Sequence, residues 1–179
     1  MQLDHPPEPW HSFLQQLDAA LPERIELDCL GGFVMTMLYG LARPTADVDI
    51  LSVAPISQLP LLVRVAGKGS PLHKKHGVYL QHVSIVTVPE NYADRLTELF
   101  AAAYQRLRLF GLDPYDLALS KLERNTQRDR DDVRYLARRV PLNAAILVRR
   151  YQQELRPNLL NPAREDLTLR LWLDAIFAG

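Results

Sequence analysis

The part of this chain that most constrains its fold lies between residues 27 and 53 and reads LDCLGGFVMTMLYGLARPTADVDILSV. Its first apolar run stops at Gly31-Gly32, and a second apolar run of helical length ends at Gly40. A turn-prone stretch with a proline then leads into a β-prone apolar run that carries two aspartates. Glycine and proline at these boundaries predict a strand, a glycine turn, a buried helix and a second strand.

The two aspartates, Asp47 and Asp49, stand two residues apart on the second predicted strand. Strand side chains alternate between faces and each residue advances about 3.3 Å, so both carboxylates project from one face with Cα atoms roughly 6.5 to 7 Å apart. Mg²⁺ prefers oxygen ligands and usually completes its shell with water and substrate phosphates. Gly31 and Gly32 have no Cβ, so their backbone N–H groups can approach a phosphate closely. These features together predict a site for a divalent metal ion and a triphosphate.

Each feature also has an ordinary structural explanation. A double glycine before a helix is more often simple turn chemistry than a phosphate cradle. A lone D-x-D is more often a solvated strand face than a metal site. The order and spacing of the features in one segment favour the metal and triphosphate interpretation.

The pattern as a whole resembles that of a known superfamily. It reads G-G-x₁₀-R-x-T-x-D-x-D, formed by Gly31, Gly32, Arg43, Thr45, Asp47 and Asp49. It is similar to the GG/GS…R-x-T-x-D-x-D signature of the DNA polymerase β-like nucleotidyltransferase superfamily, minimal bacterial members included. A second block, LDPYDLALSKLERNTQRDRDDVRYL at residues 112–136, resembles the C-terminal motif of the abortive-infection (AbiEii-like) nucleotidyltransferase toxins. The likeness covers most of the chain from about Pro22 onward.

The resemblance implies a fold, an activity and several partners. The fold would be α/β (α+β), with a small mixed β-sheet core and an α-helical C-terminal half. The activity would be transfer of a nucleoside monophosphate from an NTP to an acceptor hydroxyl, with Asp47 and Asp49 holding Mg²⁺ or Mn²⁺. Arg43 would bind phosphate oxygens, and Thr45 would either donate to one of them or brace the turn. Resemblance to the toxins points to the 3′ end of tRNA or another RNA as acceptor and to an antitoxin protein as partner.

The second block adds candidate residues on two predicted helices. Lys121 lies on a helical face that also carries apolar residues. On the next helix Asp129 and Asp132 fall on the apolar stripe, whereas Asp131 falls on the opposite side. Asp129 and Asp132 match the two acids of the toxin family's (R/K)-D-x-x-D run.

Two interpretations of this inward charge stand side by side. In the first, an internal ion-pair network of Lys121, Arg124 or Arg128 with Asp129 or Asp132 pins the two helices together. In the second, which the resemblance favours, Lys121 neutralises phosphate charge. One inward aspartate, Asp132 or Asp129, then orients the lysine or supplements the metal ligands.

One departure from the superfamily concerns its usual third metal-binding carboxylate, which lies on a strand after the D-x-D pair. The β-prone run at residues 78–88 has no acid, and Gln81 or His82 stands at the expected position. The nearest acid is Glu90, beyond Pro89. Three alternatives follow: an acid borrowed from elsewhere, a one-metal site, or a catalytically silent nucleotide- or RNA-binding module.

The segments outside the two motifs are predicted to be mainly helical. We expect an amphipathic N-terminal helix that buries Trp10, Phe13, Leu14 and Leu17, and a helix or a strand at residues 58–65. The basic glycine-rich stretch at 67–77 could contact a triphosphate or a nucleic-acid backbone, or be a solvated hairpin tip. Further helices are predicted at residues 92–107, from Asp113 to about Asn125, at 141–155 and at 164–177. The last two of these are assigned a packing role.

Composition narrows the class of protein. The chain has 179 residues, 47% of them hydrophobic, which suits one compact unit with a sheet core at 1–90 and a helical region at 91–179. The net charge of the chain is zero. Residues 91–179 hold 15 Lys/Arg against 12 Asp/Glu, and this positive charge is far smaller than that of a dedicated nucleic-acid binder. No apolar run approaches the roughly 18 residues of a membrane span, and we expect neither a signal peptide nor a membrane partner. The single cysteine, Cys29, is predicted to lie in the core and fits a cytoplasmic protein.

Overall fold

The computed structural model describes residues 4–177 and divides the chain into two compact units. The first unit contains the chain up to Ser84 together with Leu96–Gly111. The second contains Ile85–Arg95 together with the chain from Leu112 onward. A mixed sheet and a set of helices confirm the predicted α/β class.

The first unit is built on a five-stranded mixed sheet. Its strands are β1 (Ile25–Leu30), β2 (Asp47–Ala54), β3 (Tyr79–His82), β4 (Thr97–Leu99) and β5 (Leu107–Gly111). Their order across the sheet is β3-β2-β1-β5-β4. β1 runs antiparallel to β2 and parallel to β5, β3 runs parallel to β2, and β4 runs antiparallel to β5.

Four helices belong to the same unit: α1 (Trp10–Ala20), α2 (Gly31–Met37), α3 (Leu59–Ala66) and α4 (Pro71–His76). As predicted, α1 buries Trp10, Phe13, Leu14 and Leu17. For residues 58–65 the sequence allowed either a helix or a strand, and the structure has helix α3 there. A short 3-10 helix at Ile56–Gln58 precedes it. Alternate strand residues are fully buried, whereas the residues between them are half-buried and mostly polar. The sheet therefore has one apolar face and one polar face.

The predicted helix at 92–107 is wrong. This stretch contains a 3-10 helix at Tyr92–Arg95 and strand β4, and it leads into β5. Phe100 and Ala102 adopt positive φ angles of 52° and 64°, which stop any helix between β4 and β5. The Asp18 carboxylate then accepts three successive backbone N–H groups, from Gln105 to Leu107, at 2.7–3.1 Å. This contact with α1 holds the residues before β5 in an extended conformation. The helical spacing of apolar residues in this stretch gives no sign of the contact.

Two further predictions need correction in the same unit. The strand expected over residues 78–88 ends at His82. The expected loop or hairpin tip at 67–77 contains α4, whose N-cap Ser70 accepts the His73 N–H. Gly77, with φ of 75°, ends that helix in the left-handed conformation. The Ser-Pro start and the glycine stop were present in the sequence, but the basic composition obscured them.

The second unit is helical. It contains α5 (Pro114–Leu119), α6 (Gln127–Arg139), α7 (Ala144–Arg150) and α8 (Pro162–Phe177). A π-helical turn at Tyr151–Leu155 and a 3-10 turn at Arg156–Asn158 follow α7. The helices enclose an apolar core that includes Leu122, Val133, Leu147, Tyr151 and Trp172.

The helix boundaries of this unit differ from those predicted. Asp113 caps α5 and accepts the Asp116 N–H at 2.8 Å, as expected, but α5 ends at Leu119 instead of near Asn125. The helix predicted over 141–155 begins only at Ala144, after the N-cap Asn143. On α8, Leu167 and Leu171 are 54% and 57% exposed and do not have the packing role assigned to them.

Buried ion pairs join the early segment of this unit to its helices. The Arg95 guanidinium donates to the Asp116 carboxylate at 2.9 Å and to the Glu154 carboxylate at 2.7 Å. Arg150 donates to Asp113 at 2.7 Å and to Asp116 at 3.0 Å. Asp116 is fully buried, and the guanidinium groups of Arg95 and Arg150 compensate its charge.

None of the described helices combines the length and the apolar character that crossing a membrane requires.

Candidate functional site

The candidate site lies on the polar face of the first unit's sheet. Asp47 and Asp49 are half-buried on β2. The alternate residues Val48 and Ile50 are buried on the opposite face. The alternation therefore brings the two carboxylates to the same face of one rigid strand. This is the arrangement that the D-x-D spacing predicts.

Gly31 touches the second of these acids. Gly31 begins α2 directly after β1, has φ of 74°, and has no side chain where one would collide with the Asp49 carboxylate. Even the Asp49 Cγ lies only 3.2 Å from the position that a Cβ would occupy. The glycine is therefore required twice, once for its backbone conformation and once for the approach of Asp49. Gly32 follows in the first turn of α2.

We predict that Gly31→Ala destabilises the first unit and displaces the Asp49 carboxylate. Gly77→Ala is the matched control, because Gly77 has φ of 75° and its added Cβ would meet nothing within 4 Å. Both variants place alanine in the left-handed region, which costs about 1–2 kcal/mol. The steric clash should make Gly31→Ala worse than the control by about 1–3 kcal/mol in urea unfolding. Equal losses in the two variants would contradict the close approach to Asp49.

The loop before β2 is fixed by hydrogen bonds from two threonines. The Thr45 hydroxyl donates to the Asp47 carbonyl at 3.0 Å and lies 3.2 Å from the Asp47 Oδ1. The Thr36 hydroxyl donates to the Arg43 carbonyl at 3.2 Å. Thr45 thus makes the bracing contact that was one of its two expected roles, and Arg43 lies half-buried in the braced loop.

Sequence reasoning missed Asp28, a third acid on this face. Asp28 and Leu30 are two residues apart on β1, and Leu30 pairs with Asp49. Asp28 therefore shares the polar face with Asp49, one strand away. Burial raises the pKa of the Cys29 thiol, and the charges of Asp28 and Asp49 raise it further. The alternation of Leu27, Asp28 and Cys29 could have indicated the outward acid, but only the strand pairing shows which acids are its neighbours.

Strand β3 contributes two neutral neighbours. Tyr79 pairs with Asp47 and Gln81 pairs with Asp49 in parallel register. Gln81 thus stands beside the D-x-D pair, where the superfamily usually has its third carboxylate. Burial raises the pKa of the Tyr79 hydroxyl, and the nearby charges of Asp47 and Asp49 raise it further.

The second unit holds the other predicted residues in a buried ion-pair cluster. The Lys121 Nζ donates to the Asp132 Oδ2 at 2.8 Å and lies 3.7 Å from the Asp129 Oδ1. Lys121, Asp129 and Asp132 are 4%, 0% and 2% exposed. The predicted inward phase of both aspartates is confirmed, as is the exposure of Asp131.

Asp129 also caps the helix on which it lies. It accepts the Thr126 N–H at 3.0 Å while its own N–H binds the Thr126 hydroxyl, which forms a capping box at the start of α6. The Arg124 guanidinium donates to the same carboxylate at 2.8 Å. Burial opposes the charge of Asp129, but the bonds from Arg124 and Thr126 outweigh it and lower the pKa to about 2. These contacts form the internal ion-pair network of the first interpretation, and Arg124 is its arginine.

Two of the carboxylates on the polar face, those of Asp47 and Asp49, lie on one strand and are the pair considered for a divalent ion. Within residues 4–177, no three His, Cys, Asp or Glu side chains come together as a metal-binding group. Asp47 and Asp49 nevertheless fit a hard cation, because both present carboxylate oxygens from the same face of β2. Such an ion would take its other ligands from water and from a bound phosphate.

Comparison with known proteins gives one match. A family model described as "Nucleotidyltransferase of unknown function (DUF6036)" matches residues 12–171. No curated protein and no solved structure matches the chain significantly. The matched region contains the whole sheet and α2 through α7.

Proposed function

This chain belongs to the nucleotidyltransferase family DUF6036, and we propose that it transfers a nucleoside monophosphate from an NTP to an acceptor hydroxyl on the polar face of its sheet. One observation carries the proposal: Asp47 and Asp49 share one face of β2, and the Asp49 carboxylate packs against Gly31, where any side chain would collide with it. A rigid acid pair beside a side-chain-free turn suits a metal-bound triphosphate.

Each residue of this face has a proposed role. Asp47 and Asp49 would hold Mg²⁺ or Mn²⁺, which supplies charge neutralisation for the triphosphate. Arg43 binds phosphate oxygens, and the backbone N–H groups of Gly31 and Gly32 approach the phosphate, since neither residue has a Cβ. Thr45 keeps Asp47 in place through its bonds to that residue.

We assign Asp28 the role of proton acceptor. The acceptor hydroxyl gives its proton to the Asp28 carboxylate, and its oxygen forms a bond to the α-phosphorus of the NTP. The bond from the α-phosphorus to the oxygen bridging the β-phosphate breaks, and pyrophosphate leaves with that electron pair. Asp28 is suited to this role because it lies on β1, one strand from Asp49 and on the same face.

For the second unit, the proposed role of Lys121 is to neutralise phosphate charge of a bound nucleotide or RNA, with Asp132 orienting its ammonium group. Asp129 supports the same cluster through its contact with Lys121. The resemblance to AbiEii-like toxins adds finer proposals. These are the 3′ end of tRNA as acceptor, an antitoxin protein as partner and a cytoplasmic location.

Incubation with each α-labelled NTP, Mg²⁺ and total tRNA tests the function. We expect label to be incorporated into RNA with one NTP preferred, and pyrophosphate to be released in equal amount. Omission of Mg²⁺ and replacement of tRNA by other RNA are the controls. NTP binding without incorporation into any acceptor would favour the alternative of a catalytically silent nucleotide- or RNA-binding module.

We predict that Asp28→Asn lowers kcat by about 10²- to 10⁴-fold, the usual contribution of a positioned proton acceptor. The KM for NTP should change little, because Asp28 is not proposed to bind the triphosphate. Ser52→Ala is the matched control, since Ser52 pairs with Asp28 on β2. An Asp28→Asn variant with wild-type kcat would remove Asp28 from the mechanism.

A further inference from the structure

We propose that a cavity in the second unit binds one nucleobase of single-stranded RNA, with Arg130 and Arg134 holding the adjoining phosphates. None of the residues that line this cavity belongs to the transfer site proposed above. The inference goes beyond the proposed function, which has RNA as acceptor but gives it no site for a base, and it rests on that function for the choice of RNA.

The cavity lies between α6 and α8. Its volume of about 370 Å³ is within the range of sites that hold small molecules and cofactors. The wall that α8 provides is apolar and includes Leu171, Trp172 and Ile176. Trp172 is 3% exposed, whereas Leu171 is 57% exposed. A ligand in this space would therefore cover an apolar side chain that water now reaches.

A side-chain amide adds hydrogen-bonding specificity to this apolar wall. Asn125 lines the cavity, and its Oδ1 accepts the Trp172 Nε1–H at 3.0 Å and an Arg130 N–H at 3.3 Å. These two bonds fix the orientation of the amide, and its nitrogen has no hydrogen-bond partner within residues 4–177. Its N–H groups suit the ring carbonyl oxygen of uracil, cytosine or guanine, which adenine lacks.

Arg130 brings a fixed positive charge to the cavity. Its guanidinium donates to the Asn125 carbonyl at 2.6 Å and to the Gln127 Oε1 at 3.0 Å, and both acceptors are neutral. In the described part of the chain this guanidinium makes no ion pair with a carboxylate. A phosphate group suits such a positioned guanidinium, because its oxygens match the fork of N–H donors.

Arg134 supplies a second cation one helical turn further along α6. It lies four residues after Arg130, on the same side of the helix and about 6 Å along its axis. Among the described residues its carboxylate partner is Asp131, at 3.0 Å, and the Asp131 side chain is 55% exposed. Such a surface pair is weak and gives way readily to a ligand phosphate. Two cations in sequence along a helix suit the repeated phosphates of a strand better than the single phosphate of a nucleotide.

These groups together match one nucleotide of an unpaired strand. Its base packs against Leu171, stacks on a guanidinium plane and accepts a hydrogen bond from the Asn125 amide. Its phosphates pair with Arg130 and Arg134. The strand has to be single, because a base in a duplex is stacked and its pairing edge is occupied. An acidic peptide would satisfy the two arginines without a ring to fill the cavity.

Binding of labelled RNA to the full chain tests the inference, by fluorescence anisotropy at low salt without NTP or Mg²⁺. The probes are oligomers of about ten uridines or ten adenosines. The uridine oligomer should bind about 10-fold more tightly, because adenine leaves the Asn125 amide without its acceptor. Arg130→Ala and Arg134→Ala should each weaken uridine-oligomer binding about 10- to 100-fold. Arg139→Ala is the matched control, because it removes an equal charge from α6 and does not line the cavity, and its affinity should stay near that of the wild type.

Trp172 reports whether the RNA occupies the cavity. The sequence has two tryptophans, so a Trp10→Phe protein leaves Trp172 as its only one. The uridine oligomer should change the emission of this protein, and the change should be lost when Arg134→Ala is added. Arg134→Ala also decides the result if Arg130→Ala does not fold, since Arg134 pairs only at the surface among the described residues.

The outcomes separate this inference from the proposed function. If the arginine variants bind the uridine oligomer as Arg139→Ala does, the cavity is not an RNA site. Equal affinity for UMP and for the oligomer, or equally tight binding of a ten-residue glutamate peptide, would also overturn the inference in favour of a free nucleotide or an acidic protein. A wild type that shows the expected RNA binding but incorporates no label from any NTP keeps this inference and loses the proposed function.

Discussion

Asp49→Asn is expected to abolish nucleotidyl transfer, with at least about 10³-fold less labelled product than the wild type under the same conditions. Asparagine keeps the volume of the side chain and its fit against Gly31, but it removes the charge that a divalent ion requires. Asp49 is the acid that touches the glycine turn, so the substitution removes a proposed metal ligand at the point where phosphate is expected. The fold should survive, since the side chain is half-buried on the polar face of the sheet.

The control for this variant is Glu26→Gln on β1. Glu26 lies on the same face, but it is paired with Arg24 at the surface, and it has no part in the proposed site. Its activity and melting temperature should match those of the wild type. Mg²⁺ binding by calorimetry provides a second readout, and Asp49→Asn should lose it. Undiminished transfer by a folded Asp49→Asn protein would end the assignment of the acid pair as a metal site.

The acid pair could be predicted from sequence because its geometry is local. A period of two residues places Asp47 and Asp49 on one face, and buried Val48 and Ile50 fix which face points inward. The inward phase of Asp129 and Asp132 was predictable for the same reason, since a helical period of 3.6 residues orders α6. Local periodicity therefore predicts the orientation of a side chain well.

Other features depend on contacts that are distant in sequence. The position of Asp28 beside Asp49 follows from the pairing of Leu30 with Asp49 and from a register shift between Asp28 and Cys29, neither of which the sequence gives. The stretch at 92–107 has helical spacing, yet the Asp18 carboxylate from α1 and the positive φ of Phe100 give it strands. In both cases a tertiary contact overrides the local preference.

Lys68 illustrates an intermediate case. Its charge and its glycine neighbours are visible in the sequence, and they indicate a phosphate or nucleic-acid contact as readily as a solvated turn. The bridge between Gly67 and Leu80 and the ring contact of His73 with Tyr79 decide its side of the sheet. Composition thus shows that the segment is basic, whereas strand pairing gives the neighbours of Lys68.

Lys121→Met is expected to destabilise the second unit by about 3–5 kcal/mol, the usual effect of removing one partner from a buried ion pair. The lysine is 4% exposed and lies 2.8 Å from the Asp132 carboxylate. Its loss removes the Lys121 ammonium group from that buried acid, whereas Asp129 keeps the bond from Arg124. Urea unfolding followed by circular dichroism measures the change. Asp131→Asn is the control on α6, because Asp131 is exposed and pairs with Arg134 at 3.0 Å, and it should shift stability by less than about 1 kcal/mol.

The double variant Lys121→Met/Asp132→Leu separates a structural role of this cluster from a functional one. Replacing a buried ion pair by apolar residues of similar volume is often neutral for stability, so the double variant should recover most of what Lys121→Met loses. Transfer activity is then measured on a folded protein that has no lysine at position 121. Loss of activity with a raised KM for NTP or RNA supports phosphate neutralisation by Lys121. Wild-type activity in the folded double variant would leave Lys121 and Asp132 as an ion pair that only joins α6 to the turn after α5, and the proposed chemistry would then depend on the polar face of the sheet alone.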